Sequence, residues 1–244
     1  MPAYVDTGSK VWLGSLDLTA LCSGYQFGDL KAARVAFNNY AAGGFEENKP
    51  GLLSGDWSAE VFQDLDVDKL DDRLRLSFAT FQAPFTVLPN DSNPQPGDLA
   101  WFARANLLTR DLGGRVGDAA TAPMSGVYDS PFTRGLLLAQ PTSRTASGNG
   151  TAVALTGPTA AQRLFVAVHV FELTGLTGLT IKVQSDDASG MSTPTDRYTS
   201  SSFTAPGSAW SAVAGGWSTE THLRATWTVT GTGSFTAAVA AAVL

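Results

Sequence analysis

The chain has 244 residues, 43% of them apolar, enough for a core in one large domain or two small ones. Only 16% are charged, so much of the surface is neutral. The net charge of −6 and a pI of about 4.8 exclude a basic footprint for gripping phosphates; residues 1–135 carry 17 acidic and 11 basic side chains, residues 136–244 five of each.

Cys22, the single cysteine, excludes an internal disulfide and fits a reducing compartment. The chain opens without a basic, then apolar, leader and nowhere runs the ~18 apolar residues of a bilayer span. The expectation is a protein made and kept in the cytosol, or released by cell lysis.

Val5 to Asp17 alternates loosely around Val11, Leu13 and Leu16 with Trp12 opposite, and Gly14-Ser15 marks a turn or bulge, so one or two short strands are expected. Leu18 to Phe27 continues as another. Gly28 to Lys49 carries Lys31, Arg34, Phe37, Tyr40 and Phe45 among Ala, Asn and Gly. It reads either as a binding arm or, since Ala33, Val35 and Phe37 alternate, as a strand pair with a long hairpin. Pro50-Gly51 signals a turn before a strand with Trp57, Ala59 and Val61 on one face. Leu70, Leu74 and Phe78 then adopt helical spacing, predicting a short helix over about 68–79, capped by Asp66 or Asp68.

Phe81 to Leu88 reads as a strand, residues 89–98 as a surface loop and Leu99 to Leu108 as an apolar run. Gly113-Gly114 and Gly117-Asp118 break the chain, and Met124 to Tyr128 and Gly135 to Ala139 close the first half as strands. Residues 140–151 are polar and turn-rich, the best boundary between a first domain, 1–140, and a second, 150–244. Beyond it, Arg163 to Leu173, Thr180 to Gln184, Tyr198 to Thr204, Trp210 to Ala214, His222 to Thr230 and Ser234 to Leu244 follow at the spacing of a sandwich or barrel.

Candidates for chemistry are few. Asp64, Asp66 and Asp68 alternate like the start of a calcium loop, but Lys69 stands where Gly is needed and no Glu completes it, so they read as caps and a solvated acidic corner. Asp186-Asp187 with Asp196 lie in a turn-rich loop. His169, between valines, reads as a satisfied core or interface histidine. Glu220 and His222 lie two apart on one face of a strand start without a nucleophile motif, and Cys22 has no catalytic signature. No nucleotide-binding or zinc motif occurs. No cofactor, metal or catalytic residue is therefore assigned, and an enzyme is not expected. Of the six tryptophans, Trp217 after Gly215-Gly216 is the best candidate for stacking on a sugar, which makes a carbohydrate-binding sandwich the alternative of a different class.

Asp17-Leu18-Thr19-Ala20, the aromatic arm, Pro50-Gly51-Leu52, Gly55-Asp56-Trp57-Ser58-Ala59-Glu60, the acidic stretch with its helix, and Phe85-Thr86-Val87-Leu88-Pro89 together resemble the tail tube (major tail) proteins of long-tailed, siphovirus-type bacteriophages. Gly97-Asp98-Leu99-Ala100-Trp101-Phe102, Val183-Gln184-Ser185-Asp186-Asp187 and Arg224-Ala225-Thr226-Trp227 extend the resemblance over most of the chain. It implies a mainly β fold, a β-sandwich or half-barrel with one flanking helix, whose sheets join between subunits into a ring-closed barrel. It also implies a virion tail protein assembled in the host cytoplasm. Its partners would be copies of itself and the terminator, tape measure and distal tail proteins, with DNA as passing cargo and no membrane. The arm residues Lys31, Arg34, Phe37, Tyr40 and Phe45 would stack rings, and Asp64, Asp66, Asp68, Asp71 and Asp72 would form an acidic surface that could line the lumen. A single tube domain does not use 244 residues, so the second half is either an immunoglobulin-like extension on a six-chain ring or a second tube-like unit in a three-chain, pseudo-six-fold ring. The regular strands and small-residue C-terminus favour the latter. A capsid decoration or other structural tail protein is the nearer alternative.

Overall fold

The computed structural model describes residues 8–27, 31–38, 46–64, 70–77, 81–89, 92–111, 113 and 119–244. These residues are mainly antiparallel strands with one short helix. The strands are β1 (Lys10–Leu13), β2 (Leu16–Asp17), β3 (Cys22–Phe27), β4 (Lys31–Asn38), β5 (Glu46–Ser54), β6 (Asp56–Val61), β7 (Gln82–Leu88), β8 (Leu99–Arg110) and β9 (Met124–Tyr128). They continue with β10 (Thr133–Arg144), β11 (Gly148–Asn149), β12 (Val153–Ala154), β13 (Arg163–Asp186), β14 (Thr195–Thr199), β15 (Gly207–Ala214) and β16 (His222–Val243). The helix α1 is Leu70–Ser77. No helix among the described residues is long and apolar enough to cross a membrane.

The chain divides into two compact units, one of Met1–Leu21, Gln82–Arg104 and Pro131–Leu244, the other of Cys22–Phe81 and Ala105–Ser130. This division differs from the boundary expected at 140–151. The polar composition there reads as a linker, yet β10 runs through it to Arg144 and pairs with β16, and β11 follows on the same strand.

The first unit is built on β13 and β16, which pair from Leu164↔Val243 to Asp186↔His222. Four expected strands are thus two long ones. The glycines between them do not end the pairing; the register shifts between Val170 and Gly178 and resumes. The strands bend sharply there, because Trp227 and Phe235, which eight residues of straight strand would set about 27 Å apart, have ring centroids 6.2 Å apart. Gly233 permits the bend, since a Cβ there would lie 2.0 Å from the Thr174 carbonyl oxygen.

Folding back in this way closes one core. Leu164, Val166, Val168 and Val170 from the near half of β13 join Leu179, Ile181 and Val183 from its far half, with Phe235, Val239 and Leu223 of β16. Phe165, Ala167, Ala238, Ala240 and Ala242, on the opposite face, pack against Trp12, Leu88 and Phe102 of β1, β7 and β8. The sheet therefore curls over itself, and the alanine run of β16 lies between two apolar layers. Small side chains on both faces let those layers close.

His169 ties the curl together. Its imidazole is fully buried, with Nδ1 2.7 Å from the Gly14 carbonyl oxygen and Nε2 2.8 Å from Thr86 Oγ1. A carbonyl can only accept, so Nδ1 carries the proton and donates, and Nε2 accepts from the threonine hydroxyl. The ring stacks on Phe171 and meets Trp12 at 5.6 Å. One side chain thus pins the β1–β2 turn and β7 to β13.

In the second unit β3, β6, β9 and the end of β8 pair in that order, burying Trp57, Ala59, Val61, Met124 and Leu107. Leu70 and Leu74 of α1 are buried as their spacing predicts. The proposed caps, Asp66 and Asp68, lie outside the described residues. The segment read as arm or hairpin is a strand pair, β4 with β5. Pro50-Gly51, expected to be a turn before the next strand, is not one. Both residues lie inside β5, where the register slips between Ala32↔Leu53 and Arg34↔Pro50, an irregularity that accommodates a residue without a backbone donor.

Two outcomes follow. Gly233→Ala forces the Thr174 carbonyl away and should destabilise the fold by about 2 kcal/mol, lowering Tm by roughly 4–8 °C in a thermal melt. Burial lowers the His169 pKa from 6.5 to about 4, against the Gly14 carbonyl, which favours the charged form. The unfolded chain binds this proton first, so the contribution is complete above pH 6.5 and is lost as pH falls through that value toward 4. The loss amounts to about 3 kcal/mol. Denaturant melts at pH 7 and pH 4.5 should show it, and His169→Gln, though less stable at pH 7, should flatten the slope.

Candidate functional site

Strand β15, Gly-Ser-Ala-Trp-Ser-Ala-Val-Ala, pairs along its full length with the near half of β13, from Arg163↔Ala214 to Val170↔Gly207. Among the described residues no strand pairs with its other side. Half of its backbone N–H and C=O groups point along the sheet toward a position that a further strand could occupy. β14 pairs on the same side of β13, from Lys182↔Thr199 to Ser185↔Thr195, so the open border continues beside the far half. Behind β15, Trp210 packs on Phe102 and Phe165, with ring centroids at 5.7 and 5.9 Å, which holds the strand flat against the core.

The sequence reading named different residues. Lys31, Arg34 and Phe37 lie on β4, with Arg34 opposite Pro50 and Phe37 opposite Glu47 in backbone register. Tyr40 and Phe45, like Asp66 and Asp68, lie outside the described residues. Asp64 lies two residues before Asp66, and its carbonyl accepts from the Asp71 amide at 3.1 Å. Asp71 and Asp72 open the helix, where carboxylates favour the free amides. Asp71 also pairs with Arg110, whose side chain is only 6% exposed, so its charge is matched within the unit. The described acidic residues Asp64, Asp71 and Asp72 thus share the corner where the helix begins, while Lys31, Arg34 and Phe37 follow one another along β4.

The residues weighed for chemistry are committed elsewhere. Asp186 accepts from the amides of Ala188 and Thr193 at 3.1 and 2.8 Å, and the Thr193 amide in particular holds its carboxyl below the usual range, while the hydrogen bond between the two carboxyls, and then the Asp186 charge, push Asp187 up. Asp196 is taken by Lys182 and Gln184. Glu220 precedes β16 rather than sharing a strand face with His222, and it accepts two hydrogen bonds from Arg197; His222 Nδ1 meets the neighbouring Thr221 hydroxyl at 2.9 Å. The Cys22 thiol donates to the Gly24 carbonyl at 3.0 Å, and burial pushes its pKa up, away from thiolate chemistry. No three His, Cys, Asp or Glu among the described residues come together as metal ligands.

Trp217, expected in an exposed loop, is 9% exposed. Its Nε1 donates to Ala214 O at 3.0 Å, and the Arg197 guanidinium covers its face at 4.6 Å. The double-glycine loop turns the ring inward, which removes the sugar platform anticipated there.

Sequence reasoning missed the border. The signal was available, because Gly207–Ala214 contains no charge and no proline, the two devices that usually blunt an open edge.

No protein-family model and no curated protein matches the sequence. Among solved structures 16 chains match. A chain from the virion of a native gene transfer agent particle is 18% identical, with a TM-score of 0.41 over 54% of this chain and 98% of its own. The sheath/tube terminator of an extracellular contractile injection system is 12% identical, with a TM-score of 0.42 over 55% and 99%. The Dit protein of phage SPP1, described as a hub of the adsorption apparatus, is 11% identical, with a TM-score of 0.35 over 98% and 100%. At these scores the three are similarities, from which the role of this chain does not follow.

Proposed function

We propose that the protein is a non-enzymatic structural subunit of a phage-type tail, a tail tube protein whose copies join edge to edge into rings that stack around passing DNA. The open border of β15 carries this reading. An eight-residue edge with neither charge nor proline is a hazard to a free monomer and a ready joint for a second copy. Pairing would satisfy the outward backbone groups and continue the sheet from subunit to subunit. The net charge of −6 is consistent with this role, since a conduit that repels a polyanion lets it slide. The β4–β5 hairpin is the proposed stacking arm, with Lys31, Arg34, Phe37, Tyr40 and Phe45 as its contacts, and Asp64, Asp66, Asp68, Asp71 and Asp72 are the proposed acidic surface. The resemblance of the sequence to tail tube proteins joins the two features in one role.

Negative-stain microscopy of the purified protein across concentration should show rings with a central hole, stacked at high concentration. Their symmetry distinguishes three chains from six. Ala212→Lys with Ala214→Lys, two exposed positions on β15, should leave the circular dichroism spectrum unchanged and abolish the rings. Single particles at every concentration, or rings that survive the double substitution, would refute the edge-joined tube.

A further inference from the structure

A ring closed by joining sheet edges needs two different borders on each copy. If β15 met the β15 of a second copy across a two-fold axis, both borders would be used and assembly would stop at a dimer; a ring is built head to tail, one patch of each subunit against a different patch of the next. The chain must therefore carry a partner for β15.

Among the described residues, most other strands with an unpaired side are blunted. β14 carries Asp196 and Arg197, β4 carries Lys31 and Arg34, and β5 carries Glu46 and Pro50. β2, β11 and β12 have two residues each. β3 is different. It runs Cys-Ser-Gly-Tyr-Gln-Phe, without charge or proline, and among the described residues it pairs with β6 alone, from Cys22↔Val61 to Phe27↔Trp57. Its aromatic backing parallels that of β15. The Tyr25 and Phe27 rings meet edge to face at 5.8 Å and Phe27 lies 6.4 Å from Tyr128 of β9, which holds the strand on its sheet while Ser23 and Gln26 stand exposed.

We infer that β3 of one copy is the strand on which β15 of the next copy pairs. The inference rests on the edge-joined tube proposed above and names the partner of its border. The six residues of β3 match most of the eight of β15 in length, and the backbone donors and acceptors of each strand meet those of the other. Each copy brings one border of each kind, so the contact repeats from copy to copy until the ring closes.

Two experiments test the pairing. Ser23→Lys with Gln26→Lys should leave the circular dichroism spectrum unchanged and abolish the rings, as the lysines on β15 do. The second needs no charge on either strand. In a Cys22→Ala background, one chain carries Gln26→Cys and the other a single cysteine, placed in turn by Ser208→Cys, Ala209→Cys, Ser211→Cys, Ala212→Cys and Ala214→Cys. These positions sample both faces of β15, and a disulfide forms only where the Cα atoms come within about 7 Å. The two chains are mixed, assembled, oxidised and run on a gel without reductant. At least one mixture should give a dimer containing one of each chain, while each chain alone stays monomeric on the gel. Rings that survive the β3 lysines, disulfides between two β15 cysteines, or no mixed disulfide in mixtures that form rings would overturn the assignment of β3. Absence of rings from the wild-type protein would instead remove the tube reading itself.

Discussion

The antiparallel pairing of β13 with β16 is the constraint on which the first unit depends. It runs through a bend that brings Trp227 within 6.2 Å of Phe235 and so makes two layers from one pair of strands. Every other strand of that unit is placed by reference to it, with β15 and β14 on one side, β10, β11 and β12 along the other, and β1 and β7 across one face. The close approach at Gly233 is what lets the backbones turn together instead of separating. Register slips accompany the bend, and others lie beside it, at Phe171 on β13 and at Gln140-Pro141 on β10.

Polar groups inside this unit are held to one arrangement each. His169 has its tautomer fixed by a carbonyl on one side and a hydroxyl on the other, so it acts as a strut and has no free nitrogen for catalysis. Arg144 illustrates a different solution. Its guanidinium donates to the carbonyls of Gln140, Thr142 and Ala237 and lies 4.3 Å over the Trp227 ring, so backbone dipoles and a π face meet its needs at the bend. Arg197 does the same work for the loop before β16, clamped between Glu220 and Trp217.

Much of the fold was legible because it rests on local signals. The alternation of Trp57, Ala59 and Val61, the spacing of Leu70 and Leu74, the turn at Gly14-Ser15 and the double-faced apolar run after Arg163 all appear where the periodicity placed them. Where the reading failed, a long-range contact overrode a local cue. Glycines that look like strand ends became bulges within longer strands, a polar stretch at 140–151 became part of a sheet, and Pro50-Gly51 was absorbed into a hairpin. Trp217 turned inward at the double-glycine loop, where its Nε1 donates to Ala214 O and Arg197, twenty residues earlier, covers its ring.

The sequence by itself determined the class of the protein: mainly β, weakly charged, acidic in its first half and poor in the residues that nucleophilic or metal catalysis requires. Those properties are sums over composition and near-neighbour patterns, and no folding is needed to read them. Only the tertiary structure decided which strand keeps an open border. That depends on register between segments distant in the chain, and a register is fixed by which faces bury against which, a choice made only when the sheet curls onto its own core.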